Sequence, residues 1–363
     1  MRCGFRVDAS IDMGSGHIMR CLTLADALRA QGTKCLFFCR PHTGNMLNLI
    51  TSRGHKTINL PTLICSNSTL SPDNHTHENW LGTDWSTDAQ DTRRAIGKDT
   101  LDWLVVDHYA LDHRWERELR SCCKRLMVID DIADRMHDCD LLLDQNLGRA
   151  TEDYHGLLPA HTSTLIGQQY ALLRPEFLQL RIESLSRRKH AQFKHLLISM
   201  GGVDIGNATG SVLETIQSCD LPIGLYITVV MGLNAPWLQQ VQTQATQMKR
   251  PTKLLVGITD MERLLADSDL AIGAAGGSAW ERCCLGLPSL LLVLADNQEN
   301  GAKALHQAGA AISMQHVSEI KTFFENNAKF EDISTLLQQM SIAAARVTDG
   351  NGLSRITQKM IAQ

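Results

Sequence analysis

The sequence lacks an excess of charge of either sign. Its 363 residues carry 35 Lys and Arg against 39 Asp and Glu, a formal net charge of −4. That balance excludes the basic stripe of a nucleic-acid binder and a polybasic membrane patch. An anionic ligand therefore has to be held by local groups rather than by a global field. The eleven cysteines are odd in number and contain no C-x-x-C spacing. Neighbours such as Cys122-Cys123 and Cys283-Cys284 fall in helix-like patterns and read as reduced, mostly buried thiols of a cytoplasmic protein. No apolar run reaches the length that spans a bilayer. The longest, Leu285 to Ala295, is broken by Gly286 and Pro288 and reads as a buried strand. No signal-type apolar region precedes the first strand-like segment, Phe5-Arg6-Val7.

What the chain does have is alternation. Strand-like Cys3 to Ser10 is followed by a helical pattern from His17 to Ala30, with Leu22, Leu24, Ala25 and Leu28 near one face and Gly32 as its stop. Lys34 to Cys39, Ile58 to Leu60, Leu101 to Val106, Arg125 to Ile129 and Asp140 to Leu143 continue the strands. The rhythm restarts with Leu196 to Ser199 and runs through Leu225 to Val230, Lys253 to Val256, Leu270 to Ile272 and Ser289 to Val293. This βαβ order predicts an α/β protein of two Rossmann-like domains facing a cleft. The expected division is an N-terminal domain over 1–178, a C-terminal domain over 193–345 and a C-terminal helix over 346–363. The charged stretch Gln179 to Gln192 is expected to be a linker. Pro61 to Thr87, rich in Ser, Asn, Thr, Asp and His, breaks the rhythm and reads equally as a functional loop or a surface insertion.

Several strand-to-helix turns carry residues suited to chemistry. Asp8 to Arg20 contains Gly14-Ser15-Gly16-His17. It is not a dinucleotide fingerprint, because Met19 stands where the third Gly belongs, and it is not a P-loop, because no Gly-Lys-Ser/Thr follows. His17 lies at a helix mouth, where the positive dipole end disfavours an imidazolium, so it is expected to accept a proton near neutral pH. The plainer reading is a His that caps the helix. Ser199 to Asp204, with Gly201-Gly202, suits a pyrophosphate or a tight turn. Gly276-Gly277-Ser278 opens another helix, with Glu281 either on ribose hydroxyls or closing a capping box with Ser278. Asn297-Gln298 follow an apolar strand. Asp107-His108-Tyr109 end another, and Asp107 reads as a cleft residue or a structural carboxylate. The acids Asp130, Asp131, Asp134, Asp138, Asp140 and Asp144 lack any metal-site spacing, so no metal or other cofactor is expected.

Taken together, FRVDASIDMGSGHIMRCLTLADAL, WLGTDWSTDAQDT, VVDHYALDHRWE, VIDDIADRMHDCDLLLDQN, LLRPEF, ISMGGVD and AIGAAGGSAWERCCLGLP with ADNQ give the chain a resemblance over nearly its whole length to a known family. It resembles the UDP-2,4-diacetamido-2,4,6-trideoxy-β-L-altropyranose hydrolases of pseudaminic acid biosynthesis, which are similar in fold to GT-B glycosyltransferases. The resemblance implies that His17 is the general base and that Gly14, Gly16, Arg20, Tyr109, Trp280, Asn297 and Gln298 meet the sugar. It further implies that Gly201, Gly202, Asp204, Gly257, Gly277, Ser278 and Glu281 hold UDP. Water activated by His17 would attack the anomeric carbon with inversion. The partner implied is a UDP-linked diacetamido-trideoxy sugar, with no nucleic acid, no membrane insertion and a monomeric chain. The alternative is a GT-B glycosyltransferase that passes a UDP-amino sugar to an acceptor. It would need an apolar and basic patch for a lipid acceptor, which the sequence does not display.

Overall fold

The computed structural model describes residues 1–62, 77–190, 192–327 and 330–362. Most of the segment Pro61 to Thr87 that breaks the sequence rhythm therefore lies outside the described residues, with Pro61, Thr62 and the stretch from His77 onward inside them. The chain divides into two compact units, one formed by 1–145, 149–172 and 353–363, the other by 146–148 and 173–352.

The first unit is built on a parallel sheet of β1 (Arg2–Val7), β2 (Lys34–Cys39), β3 (Lys56–Asn59), β4 (Leu101–Asp107), β5 (Cys123–Ile129), β6 (Leu141–Asp144) and β7 (Ser163–Ile166). Their spatial order is β3-β2-β1-β4-β5-β6-β7. The helices are α1 (Gly16–Ala30), α2 (Leu47–Ser52), α3 (Trp85–Ile96) and α4 (His113–Leu119). The central strands are buried along nearly their whole length, as parallel strands covered on both faces must be. On one face Ile18, Leu22, Ala25 and Leu28 of α1 join Phe5, Val7, Phe37, Val105 and Ile129 in a single core. Asp84 caps α3 by accepting from Ser86 N at 3.0 Å and Thr87 N at 2.9 Å.

The second unit opens with α5 (Pro175–Arg187) and continues as β8 (His195–Ser199), α6 (Ala208–Gln217), β9 (Tyr226–Met231), α7 (Leu238–Gln247), β10 (Thr252–Val256), α8 (Met261–Asp267), β11 (Leu270–Ala274), α9 (Ser278–Cys284), β12 (Ser289–Leu292), α10 (Glu299–Gln307), β13 (Ala311–Met314), α11 (Glu319–Asn326) and α12 (Phe330–Val347). Its parallel sheet has the order β10-β9-β8-β11-β12-β13. The last helix, α13 (Gly352–Ala362), belongs almost entirely to the first unit. There Leu353, Ile356 and Met360 enter the core, and the Met360 carbonyl accepts from Trp103 Nε1 at 3.0 Å.

The stretch Gln179 to Gln192 is not a linker. Its first part, to Arg187, continues α5, and Arg181 and Arg188 face inward. Arg188 is buried and donates to Leu285 O at 3.0 Å, Ser268 O at 2.7 Å and Leu265 O at 2.8 Å. Arg181 donates to the carbonyls of Cys284 and Ala345. These acceptors lie at the C-terminal ends of α8, α9 and α12, where carbonyls lack helical partners and the dipole favours a cation. Arginines of the expected linker thus join three helix ends.

Candidate active site

In both units the strand order reverses beside the first strand, so loops leaving two adjacent strands diverge and open a crevice at their carboxyl ends. In the first unit these strands are β1 and β4, whose Val7 and Asp107 are register partners. The segment after β1 turns at Gly14, whose φ of +73° suits glycine and whose N–H donates to Ser10 O at 2.9 Å. The helix α1 then begins at Gly16 with no side-chain cap. His17 lies in its first turn, with a side chain 11% exposed.

Asp107 orients His17. Its Oδ1 lies 2.6 Å from His17 Nδ1, while its two oxygens accept from Arg20 Nε at 2.7 Å and Nη2 at 2.6 Å. Arg20 and His17 beside it hold the Asp107 carboxyl well below the usual carboxylate range, against the effect of burial. A carboxylate only accepts, so Nδ1 carries the hydrogen and the neutral ring keeps its lone pair on Nε2. The longer approach of Arg20 Nη2 to Nδ1, 3.3 Å, is subordinate to the 2.6 Å bond.

Tyr109 stands edge-on to His17, with ring centroids 4.7 Å apart, and its hydroxyl donates to Asp131 Oδ2 at 2.6 Å. Burial and Asp131 push that hydroxyl's pKa well up. His77 and Trp80, from a 3-10 turn over His77–Leu81, lie 5.0 Å and 5.8 Å from the Tyr109 ring. Neither was chosen from the sequence, although Trp80 opens the WLGTDW motif. The acids beyond β5 are engaged by the protein itself. Asp130 meets Arg135 at 3.0 Å and the Tyr154 hydroxyl at 3.0 Å, and Asp144 meets Arg149 at 2.9 Å.

In the second unit the predicted residues also collect at strand carboxyl ends. Gly201 and Gly202 follow β8, Gly257 follows β10, Gly277 and Ser278 follow β11, and Asn297 and Gln298 lie in a 3-10 turn after β12. A Cβ on Gly232 would run into the Gly202 carbonyl, so the loops after β8 and β9 approach backbone to backbone there, and Trp237 Nε1 donates to Ile205 O at 2.7 Å beside them. The amide nitrogen of Gln298 lies 3.8 Å from the position of a Cβ on Gly276, which brings these two loops together. Three expectations change. Asp204 is turned inward: its oxygens accept from Ala208 N at 2.8 Å and Thr209 N at 2.9 Å, so a carboxylate rather than an external phosphate satisfies the start of α6. Ser278 and Glu281 form no capping box. Ser278 is already the first helical residue, and its hydroxyl accepts from Arg282 Nη1 at 3.1 Å. Trp280 is 5% exposed, leaving little of its indole for a ligand.

Two groups stand out by their environment. Burial pushes the Glu281 carboxyl up to about 7, against the lowering effect of Arg174 and Arg282. Arg282, which the sequence did not mark, is buried beneath the turn at Gly276 to Ser278 and donates to Ala274 O at 2.7 Å. A Cβ on Gly273 would lie 2.8 Å from its Nη1, so that glycine makes room for the guanidinium.

Residues 211–353 match the glycosyltransferase family 28 C-terminal domain, a span that includes Gly257, Gly277, Ser278, Glu281, Asn297 and Gln298. Over its whole length the structure is similar to MurG of Acinetobacter baumannii, with a TM-score of 0.67 at 14% identity, covering 100% of this chain and 99% of that one. The chain has the GT-B fold. In sequence it is 26% identical over 318 residues to the UDP-2,4-diacetamido-2,4,6-trideoxy-β-L-altropyranose hydrolase of Campylobacter jejuni, spanning 87% of this chain and 100% of that protein. The resemblance drawn from the motifs is therefore found across the chain. It is also 25% identical over 338 residues to an uncharacterized protein of Methanocaldococcus jannaschii, a match that spans 92% of this chain but 63% of that longer protein. Among the described residues, no helix is long and apolar enough to cross a membrane.

Proposed function

We propose that this chain hydrolyses a UDP-linked 2,4-diacetamido-2,4,6-trideoxy sugar, by attack of water at the anomeric carbon with inversion. The observation that carries the reading is the 2.6 Å bond from His17 Nδ1 to Asp107, which fixes the tautomer and leaves Nε2 as an acceptor. Water gives its proton to Nε2 while its oxygen bonds to the anomeric carbon. The carbon–oxygen bond to UDP breaks, and its electron pair leaves on the diphosphate. Such base assistance contributes about 10²–10⁴-fold. Gly14 and Gly16 allow the sugar close to the start of α1, and Arg20 and Tyr109 border it.

The nucleotide is assigned to the second unit. Backbone amides around Gly201, Gly202, Gly257, Gly277 and Ser278, with the Arg282 charge beneath, suit the charge that develops on departing UDP. Glu281 takes the ribose hydroxyls in its ionised form, and Asn297 and Gln298 approach the sugar. Asp204 shapes its loop from inside, and Trp280 supports α9. The similarity to the Campylobacter hydrolase, which spans all of that protein, supports water as the acceptor.

The rival is glycosyl transfer, which the match to the family 28 C-terminal domain favours. Turnover of the UDP-sugar in ¹⁸O-water with no added acceptor separates the two. Label on the C1 hydroxyl of the released sugar is the expected result. Label on UDP would mean attack at phosphorus, and an absence of turnover until an acceptor is supplied would mean transfer.

A further inference from the structure

The site around His17 contains one carboxylate more than the imidazole's orientation requires. Asp107 alone fixes Nδ1, yet Arg20 reaches past it to a second acid. Arg20 Nη1 lies 2.7 Å from Asp131 Oδ2 and 3.0 Å from Asp131 Oδ1. Asp131 is itself held firmly: its Oδ2 accepts from the Tyr109 hydroxyl at 2.6 Å, and its backbone carbonyl accepts from Arg149 Nη2 at 2.9 Å.

The charge count shows what the second acid does. With a neutral imidazole, Arg20, Asp107 and Asp131 sum to one negative charge. When His17 takes a proton the sum becomes zero. Without Asp131 the same step would carry the cluster from zero to one positive charge in a largely buried place, where uncompensated charge is costly. Among the described residues, the other groups facing His17 do not supply that balance. His108, beside Asp107, is kept neutral by burial down to about pH 3. The Tyr109 hydroxyl is held in its protonated form. His77 and Trp80 present ring edges and faces across Tyr109. Arg135, 5.8 Å from the Tyr109 ring, is paired with Asp130 and Asp134 at 3.0 Å each.

We propose that Asp131 is a positioning residue of this site, which acts through Arg20 to offset the guanidinium charge that Asp107 also pairs with, so that the cluster balances the imidazolium that His17 becomes, and through Tyr109 to fix the ring that His17 meets edge-on. The proposal rests on the reading of His17 as the base.

The test is the pH profile of kcat/KM for UDP release from UDP-2,4-diacetamido-2,4,6-trideoxy-β-L-altropyranose, using the full chain. Asp131→Asn keeps the shape and one acceptor oxygen but removes the charge. Its acidic limb should move about one unit to lower pH, and its plateau kcat should fall about tenfold with KM nearly unchanged. Asp131→Glu, which restores the charge, should keep the limb at the wild-type position. An acidic limb at the wild-type position in Asp131→Asn, or a displaced limb in Asp131→Glu, overturns the proposal. The base reading is judged separately by His17→Asn. If that variant turns over normally, the limb does not report His17 and the reading itself fails, whatever Asp131 does.

Discussion

His17 and Asp107 meet at 2.6 Å across two adjacent strands' ends, one residue from the start of a helix and the other from the end of β4. The geometry fixes which nitrogen carries the hydrogen. Asp107→Asn removes the charge, and its amide can present a donor to the ring and stabilise the wrong tautomer. We expect kcat to fall by about 10²–10⁴-fold with UDP affinity changed less than about threefold. Titration with UDP beside steady-state turnover checks both halves, and a variant retaining wild-type kcat would remove Asp107 from the site.

Glu281 gives a second handle through pH. Burial holds its carboxyl up to about 7, above the ordinary 4.5. The folded protein therefore keeps the proton through a window in which the unfolded chain has lost it, so this group's contribution to stability declines between about 4.5 and 7. The role on ribose needs the ionised form. UDP binding should consequently strengthen as pH rises from 6 to 8, and Glu281→Gln should bind more weakly and lose that dependence. Calorimetric titrations of UDP at pH 6, 7 and 8 measure it. Equal slopes in both proteins would show that Glu281 does not meet the nucleotide.

Much of this was legible because parallel strands buried on both faces leave apolar runs, and β1, β4, β8 and β11 read as such. The edge strands β7 and β13 did not. Each is four residues long and only half covered, so Ser163, Thr164 and Ser313 interrupt any run. His17 was legible from its place at a helix mouth. Asp107 stayed ambiguous, because the pairing of β1 with β4 is a long-range fact that local spacing does not contain. Arg282 escaped notice for a similar reason: only the folded turn shows that it lies under Ser278. Asp204 misled in the opposite sense, since a carboxylate in a glycine-rich loop looks available until the helix it caps is in view.

The arginines of the expected linker were the largest misreading, and Arg188 among them carries a prediction. Removing Arg188 would leave carbonyls of Leu265, Ser268 and Leu285 without their buried donor. At about 1–3 kcal/mol for an unsatisfied buried group, partly relieved by water, Arg188→Met should lose roughly 3 kcal/mol of stability. A surface linker residue would lose less than about 0.5 kcal/mol. Urea unfolding of the full chain distinguishes these values.

The last prediction concerns a buried ionic cluster behind the site. Arg6 binds Asp88 through Nε at 3.0 Å and Nη2 at 2.7 Å, and Asp8 through Nη1 at 2.7 Å. His108 Nδ1 accepts from Ala110 N at 3.1 Å, which leaves the hydrogen on Nε2, 3.6 Å from Asp8 Oδ2. Burial depresses His108 to about 3, against 6.5 for an ordinary histidine. Between those values the unfolded chain binds a proton that the folded protein refuses, so stability falls as pH falls through the window. Asp8, held below the usual carboxylate range chiefly by Arg6, adds a loss of the same sign below about 3.8. One such proton corresponds to a slope of about 1.4 kcal/mol per pH unit. His108→Asn keeps an acceptor for Ala110 N and cannot titrate. Its stability, measured by urea unfolding at pH 7.5, 6.0 and 5.0, should decline less steeply than the wild type by close to that one-proton slope. Parallel declines in the two proteins would mean that His108 takes up its proton in the folded state, and that the cluster is more open to water than its packing implies.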